Sequence, residues 1–247
     1  MGTDIHFAAE VKNDEGNWEF IPGPIIECWA CDGTGVARHQ PGKPCWSCNS
    51  DPAERDEFDR DYLAARYVQP GKVRDTWYSD RNYAVFAILG NVRNGRGFAG
   101  VYTHDPLPWI SDSRGIPENA TPETLAVLSD EHSGTWCTLA EVLAYDWHRP
   151  IHRGGVISLA QYAECKRTGQ RPDSWSGGIS GGNNVTVSPE QADRFLAGSN
   201  TGGMTVHVNY EWDDTLDDFT SVFRDRMKML AMEVGERECR LIFDFDS

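Results

Sequence analysis

The sequence predicts an α+β fold, with a mixed sheet, helices packed against that sheet and an inserted zinc module. Three observations support it: an alternating hairpin pattern at the N terminus, a strand–helix–strand pattern at the C terminus, and two Cys-x-x-Cys pairs within residues 22–52. Strand and helix patterns have different periods, which separates the two kinds of element. We expect one domain over residues 1–247, in which the two chain ends pair.

The N-terminal segment has the pattern of a β-hairpin. Apolar residues recur at every second position over residues 5–11, and residues 13–16 form a turn into residues 18–21. Asp4 and His6 then share one face of the strand. A carboxylate and an imidazole at this spacing can hold a divalent cation or pair a general base with its orienting group. The alternative is a turn-capping Asp4 and a hydrogen-bonded core histidine at His6.

Four cysteines between residues 22 and 52 carry the strongest signal in the sequence. A Cys-x-x-Cys pair presents two sulfurs from one tight turn, so two pairs complete a tetrahedral shell around zinc, formed by Cys28, Cys31, Cys45 and Cys48. Two disulfides and an iron–sulfur cluster are the alternatives. A reducing compartment argues against the first and the cysteine spacing against the second. We therefore predict one structural zinc ion, with His39 as an alternative ligand in place of one cysteine.

Residues 28–35 resemble one CxxCxGxG unit of the cysteine-rich region of J-domain chaperones. The second pair, at Cys45 and Cys48, lacks the two glycines, so the resemblance covers this module alone. The remaining Cys137, Cys165 and Cys239 are scattered and are expected to be small buried hydrophobic residues.

Helix start signals follow the module. Residues 52–67 are helical in pattern, and the expected N-terminal caps of later helices are Ser79, Thr121, Thr138, Ser158 and Ser188. Asp213 or Asp214 is expected to cap a long helix that ends before Gly235. Residues 204–210 alternate as a strand, and residues 239–243 are expected to form the last strand. We place the first of these strands, which carries His207, in the same sheet as the N-terminal hairpin.

Several polar residues are candidates for a ligand site. Asp80, Arg81 and Asn82 lie near a helix N-terminus, where exposed amides favour anions. Arg93 and Arg96 lie in a glycine-rich segment that can approach a phosphate closely, with a helix end and a flexible turn as an equally weighted alternative. Capping alone accounts for Asp80. Whether the protein is an enzyme is left open.

Our leading hypothesis is a cleft that binds a small anionic ligand such as a nucleotide. A hydrolytic version uses a second divalent metal, with candidate catalytic residues Asp4, His6, Asp80 and His132, and with binding residues Arg81, Asn82, Arg93, Arg96 and His207. The rival hypothesis is a non-enzymatic protein that blocks a host factor through its acidic surface and exposed tryptophans. A structural or scaffolding protein is the third alternative.

Composition limits the classes of partner. A net charge of −15 argues against tight binding to duplex nucleic acid, because Lys and Arg contacts to phosphates supply most of that affinity. The first ten residues have neither the basic start nor the apolar run of a signal peptide, and no apolar run is long enough to span a bilayer. We therefore expect a cytoplasmic protein without a membrane partner.

Short motifs along most of the chain resemble an uncharacterised family of bacteriophage and prophage proteins. They comprise residues 2–6, residues 80–83 with 86–89, residues 92–95 with 97–100, His132 and Ser133 with Trp136 and Leu139, and residues 240–246. Thr3 stands where many relatives have cysteine. The resemblance implies a phage-encoded protein that works in the cytoplasm of a host cell.

Overall fold

The structure is a computed structural model, and it describes residues 3–49, 66–95, 106–111, 113–129 and 132–246. The described residues contain both helices and strands, which confirms the α+β class. The chain divides into two compact units, the first built from Met1–Ser79, Ile116–Gly134 and Met229–Ser247, the second from Asp80–Gly115 and Thr135–Lys228. The helix expected over residues 52–67 lies outside the described residues, apart from its last two positions.

The elements are as follows. The strands are β1 (Ile5–Lys12), β2 (Trp18–Phe20), β3 (Ile25–Glu27), β4 (Tyr67–Gln69), β5 (Lys72–Arg74), β6 (His132–Thr138), β7 (Pro150–Ser158), β8 (Asn184–Val187), β9 (Thr205–Thr215) and β10 (Cys239–Phe245). The helices are α1 (Tyr83–Gly90), α2 (Pro122–Val127), α3 (Leu139–Ala144), α4 (Leu159–Thr168), α5 (Pro189–Leu196) and α6 (Asp217–Val234).

The two chain ends pair, as predicted. The largest sheet has the order β2-β1-β10-β6, and β1 runs antiparallel to β10 with Ile5 opposite Phe245 and Val11 opposite Cys239. Phe7 on β1 stacks on Phe243 of β10, with ring centroids 6.0 Å apart. Every residue of β10 is buried, so this strand forms the centre of the first unit.

The opposite face of β1 carries a buried polar network. Arg240 donates from Nε to Glu10 Oε2 at 2.7 Å and from Nη1 to Asn119 Oδ1 at 2.9 Å. The other oxygen of Glu10 accepts the N–H of Thr121 at 2.7 Å, and Thr121 is the N-cap of α2. The network therefore fixes where α2 begins on the sheet.

Helix α1 is the most buried helix of the second unit, with residues 84–89 all inaccessible. Its start corrects the prediction that Ser79 is the cap. Asn82 caps the helix instead, since its Oδ1 accepts the N–H groups of Ala84 at 3.1 Å and Val85 at 3.4 Å. Asn and Ser are comparable capping residues, so sequence preference alone does not separate the two sites.

The second unit contains its own sheet, of order β7-β9-β8, with β7 antiparallel and β8 parallel to β9. This corrects the prediction that places His207 in the sheet of the N-terminal hairpin, because His207 lies on β9. Strand β9 also continues to Thr215, so Asp213 and Asp214 belong to the strand and α6 begins later, at Asp217. Helices α4 and α5 pack on this sheet through an apolar cluster around Tyr162 and Val208.

Other predicted caps are confirmed. Thr138 and Glu141 form a reciprocal capping box at α3, and Ser188 and Gln191 form one at α5. Ser158 caps α4 through the N–H of Gln161. Each cap satisfies backbone donors that the first turn of a helix leaves without an intrahelical partner.

Candidate metal centre

Cys28, Cys31, Cys45 and Cys48 come together in one buried cluster in the first unit. Each is at most 1% exposed, and their sulfur atoms all lie within 4.8 Å of one another. All four are free thiols, so the two-disulfide alternative does not apply to this structure. In the part of the chain that the structure describes, no other set of three or more His, Cys, Asp or Glu gathers its ligand atoms this closely.

The sulfur spacing fits a single tetrahedral ion. Four thiolates at about 2.3 Å from a zinc ion lie at the corners of a tetrahedron whose edges are about 3.8 Å long. The Sγ atoms of Cys28 and Cys45 are 3.9 Å apart, and those of Cys31 and Cys48 are 3.6 Å apart. The cluster can therefore hold one metal ion with four sulfur ligands.

The backbone turns after the first Cys pair explain the glycines in this segment. The N–H of Gly33 donates to the carbonyl of Cys28 at 3.2 Å, and the N–H of Gly35 donates to Cys31 Sγ at 3.2 Å. Both glycines adopt φ of +74°, a conformation that residues with a Cβ disfavour. This turn places the amide of Gly35 within hydrogen-bonding distance of Cys31 Sγ.

Gly71 is a residue of this centre that the sequence analysis missed. Its N–H donates to Cys48 Sγ at 3.2 Å, and its carbonyl accepts the N–H of Cys28 at 2.8 Å, so it joins the two Cys pairs. Gly71 has φ of +87°, and a Cβ there would lie 2.2 Å from the carbonyl oxygen of Gly33. The Pro70-Gly71 dipeptide is a turn signal, but nothing in its position relates it to cysteines more than 20 residues earlier.

A small sheet supports the centre from one side. Strand β5 pairs with both β3 and β4, and Gly71 forms the turn between β4 and β5. Val73 of β5 is buried against the cysteines, with Ile26 of β3 beside it. The metal site is thus built from two separate stretches of sequence.

The thiols differ in their electrostatic environment. Burial raises the pKa of Cys31, but hydrogen bonds from the Gly35 amide and the neighbouring thiols outweigh it and lower the pKa to about 7. Burial dominates at Cys45 and Cys48, and their pKa values are raised. Packed thiols cannot all ionise together without a compensating positive charge, and a divalent cation supplies that charge.

Two tryptophans stand on the outer surface of the cluster. Trp29 follows Cys28 and Trp46 follows Cys45, and their side chains are 63% and 58% exposed. The rings meet edge to face with centroids 6.4 Å apart. Arg38 donates from Nη2 to the carbonyl of Trp29 at 2.7 Å and pairs with Asp32, so the loop between the Cys pairs folds back over the first turn. The chain therefore displays an aromatic pair at a fixed position beside the sulfurs.

The other predicted site residues lie in both units. Asp4, His6 and His132 belong to the first unit. The N–H of Asp4 donates to Asp246 Oδ1 at 2.6 Å, and His6 Nε2 is 3.6 Å from Asp246 Oδ2. Asp4 and His6 therefore both contact Asp246, the residue that follows β10. His132 contacts Ser133 Oγ at 3.1 Å.

Asp80, Arg81, Asn82, Arg93 and His207 belong to the second unit. Asn82 is occupied in capping α1, and the guanidinium of Arg93 lies 5.0 Å above the ring of Tyr83. His207 Nε2 contacts Asn184 Oδ1 on the neighbouring strand at 3.0 Å. Arg96 lies outside the described residues. The single cleft that we expect from this set stays a prediction.

No described helix has both the length and the apolar character needed to cross a bilayer. Comparisons with protein-family models, curated proteins and solved structures give no match to this chain.

Proposed function

We propose that this protein binds one zinc ion through Cys28, Cys31, Cys45 and Cys48, and that the zinc has a structural role. Sulfur ligands in tetrahedral geometry are typical of zinc and of iron–sulfur sites, and four-cysteine sites that hold one ion are common for structural zinc. Four thiolates close the coordination shell and leave no position for a substrate. The observation that supports this proposal best is the pair of sulfur separations of 3.9 and 3.6 Å.

We further propose that the zinc module serves a non-enzymatic binding function toward a protein partner. Trp29 and Trp46 each adjoin a cysteine of the cluster, so bound metal holds both rings in place before a partner arrives. Exposed tryptophans in a fixed position are typical of binding hot spots, since a large rigid side chain loses little entropy on binding. In a phage-encoded chain, this partner is a protein of the host cell.

Metal analysis of the purified protein tests the first proposal. We expect about one zinc per chain by mass spectrometry of the acid-digested protein, as for other four-cysteine sites. Removal with a strong chelator should increase proteolysis within residues 25–49, and zinc should reverse it. A metal-free protein with an equally protected module would overturn the proposal, and iron in place of zinc would correct the identity of the metal.

A double variant, Trp29→Ala with Trp46→Ala, tests the second proposal. Cross-linking in host cells identifies candidate partners, and titration with each purified partner gives its affinity. We expect the double variant to keep its zinc and to bind at least about a hundredfold more weakly, since each hot-spot residue typically contributes about 2 kcal/mol or more and the losses of two touching residues do not fully add. Trp109→Ala, at a tryptophan 42% exposed in the second unit, is the matched control. Unchanged affinity in the double variant would contradict a binding role for the pair.

A further inference from the structure

A cleft of about 230 Å³ opens in the second unit between α3, the segment that follows it and helix α6. Its walls combine apolar, aromatic and basic side chains from three places in the sequence, notably Val142, Tyr145, Trp147, His148, Arg224 and Lys228. It contains none of the residues that we propose to bind metal.

The floor of the cleft is aromatic and closely packed. Trp147 is 5% exposed and donates from Nε1 to the carbonyl of Val142 at 2.8 Å. Its ring lies 4.9 Å from that of Tyr145 and 5.7 Å from that of Phe223. Met227, which is 1% exposed, lies beside this floor. A flat apolar ligand therefore meets a preformed surface, and little ordering is needed on binding.

Tyr145 adds a neutral edge to the floor. Its hydroxyl donates to the carbonyl of Pro108 at 2.8 Å. Burial raises the pKa of Tyr145 to about 12, so the phenol carries no negative charge near neutral pH. It does not repel an anion in the cleft.

The rim is basic in a chain whose net charge is −15. Arg224 and Lys228 lie one turn apart on α6, His148 also lines the cleft, and none of the described residues lining the cleft is Asp or Glu. The carboxylates that pair with this rim come from outside the lining. Asp217 pairs with both His148 and Arg224, and Asp225 accepts from Lys228 at 3.1 Å.

We propose that this cleft binds a small aromatic carboxylate, with the ring against Trp147 and the carboxylate on Arg224 and Lys228. Arg224 is the main anchor because its side chain is only 18% exposed, whereas that of Lys228 is 59% exposed. A guanidinium offers five N–H donors in a planar fork, so Arg224 can engage Asp217 and a ligand carboxylate together.

The size of the cleft limits the ligand further. Pockets for drug-sized ligands begin at about 300 Å³, and this cleft is smaller. A single ring with one acidic group fits this volume better than a whole nucleotide. The proposed ligand is thus small and anionic, as the sequence predicts, but it contacts other residues, and its binding does not depend on zinc.

Ligand-observed saturation-transfer NMR and calorimetry with the full-length, metal-loaded protein test the proposal. Benzoate is the probe, benzyl alcohol is the ring without the charge, and acetate is the charge without the ring. We expect benzoate to bind at least about tenfold more tightly than either control, since both parts of the ligand contribute. Equal binding of benzyl alcohol, or no benzoate signal at millimolar concentration, would overturn the proposal.

Variants locate the site. Arg224→Gln should weaken benzoate binding at least about tenfold, because a charge-assisted bond is lost. Asp217→Asn should strengthen binding, since it removes the carboxylate that competes for Arg224. Arg194→Gln, on the exposed face of α5, removes the same charge outside the cleft and should change nothing. Circular dichroism confirms that each variant is folded. Equal affinity in Arg224→Gln and Arg194→Gln would show that benzoate binds elsewhere.

Discussion

Arg240 of β10 and Glu10 of β1 form a buried ion pair, although the two residues are 230 positions apart in the sequence. Nη2 of Arg240 lies 2.6 Å from Oε2 of Glu10, and the two side chains are 5% and 0% exposed. The guanidinium also lies 4.0 Å above the ring of Trp18. The pair fastens β1 to β10 on the face of the sheet that carries α2.

Arg240→Ala is expected to destabilise the first unit by about 3–5 kcal/mol, because it leaves the Glu10 carboxylate buried without its cation. Denaturant unfolding followed by near-UV circular dichroism measures the loss. Replacing both residues with apolar ones of similar size, Glu10→Leu with Arg240→Met, should cost less than Arg240→Ala alone. An equal loss in the double variant would contradict this account of the pair.

Acid should weaken the same network. Burial raises the pKa of Glu10, but hydrogen bonds from Thr121, Thr124 and Arg240 outweigh it and bring the pKa below its ordinary value of 4.5. The carboxylate therefore contributes stability above that value, and the contribution is lost as the pH falls through the lowered pKa. We expect the free energy of unfolding to fall more steeply below about pH 5 in the wild type than in Glu10→Gln. Parallel pH profiles would count against the carboxylate as the cause.

Loss of one thiolate should empty the metal centre. Cys31→Ser is expected to reduce the zinc content from about one ion per chain to a small fraction, because oxygen is a poorer ligand in a sulfur site. Cys165→Ser is the matched control, since Cys165 is also a buried free thiol but lies in the second unit. Zinc analysis after gel filtration separates the two outcomes. Full zinc retention in Cys31→Ser would exclude it as a ligand.

Gly71→Ala should damage the centre without touching a ligand. The new Cβ would lie 2.2 Å from a backbone oxygen in a conformation that alanine avoids, so the turn must move and its bond to Cys48 must lengthen. We expect faster zinc loss to a chelator, measured with a colorimetric zinc indicator. Gly16→Ala is the control, because Gly16 also has positive φ but nothing lies within 4 Å of its Cβ position. Similar zinc-release rates in both variants would refute the role of Gly71.

Replacing a buried tryptophan should destabilise the protein much more than replacing an exposed one. Trp147→Ala is expected to cost about 3–5 kcal/mol, as for other buried aromatic truncations. Trp29→Ala, at a site 63% exposed, should change the free energy of unfolding by no more than about 0.5 kcal/mol. Thermal unfolding of zinc-loaded protein measures both. A large loss of unfolding free energy in Trp29→Ala would indicate that this ring stabilises the module and is not kept for contact with a partner.

Local signals in the sequence predicted the local structure well. The Cys-x-x-Cys pairs, the hairpin and the N-terminal caps at Thr138, Ser158 and Ser188 depend on residues a few positions apart, and the structure contains all of them. The pairing of β1 with β10 also followed from the hairpin pattern at one chain end and the strand–helix–strand pattern at the other.

Partners between distant segments were harder to predict. Alternation in β9 shows which side chains share a face but not which strand lies beside it, and its partner β7 is obscured by Pro150, Gly154 and Gly155. The role of Gly71 could not be predicted for the same reason, since its contacts with Cys28 and Cys48 are set by the fold of the small sheet. The basic cleft combines α3 with α6, and no motif links those segments in sequence.

The pairing of β1 with β10 has a consequence for synthesis on the ribosome. At a translation rate of roughly 5–20 residues per second, β10 is synthesised about 10–50 s after β1. During that time Phe7 and Val11, which are buried in the finished sheet, lack the strand that covers them. The cysteine module closes through contacts within residues 25–74, so it can fold much earlier. In a nascent chain the cysteine module should therefore fold first, and the apolar face of β1 should stay uncovered until the last strand emerges.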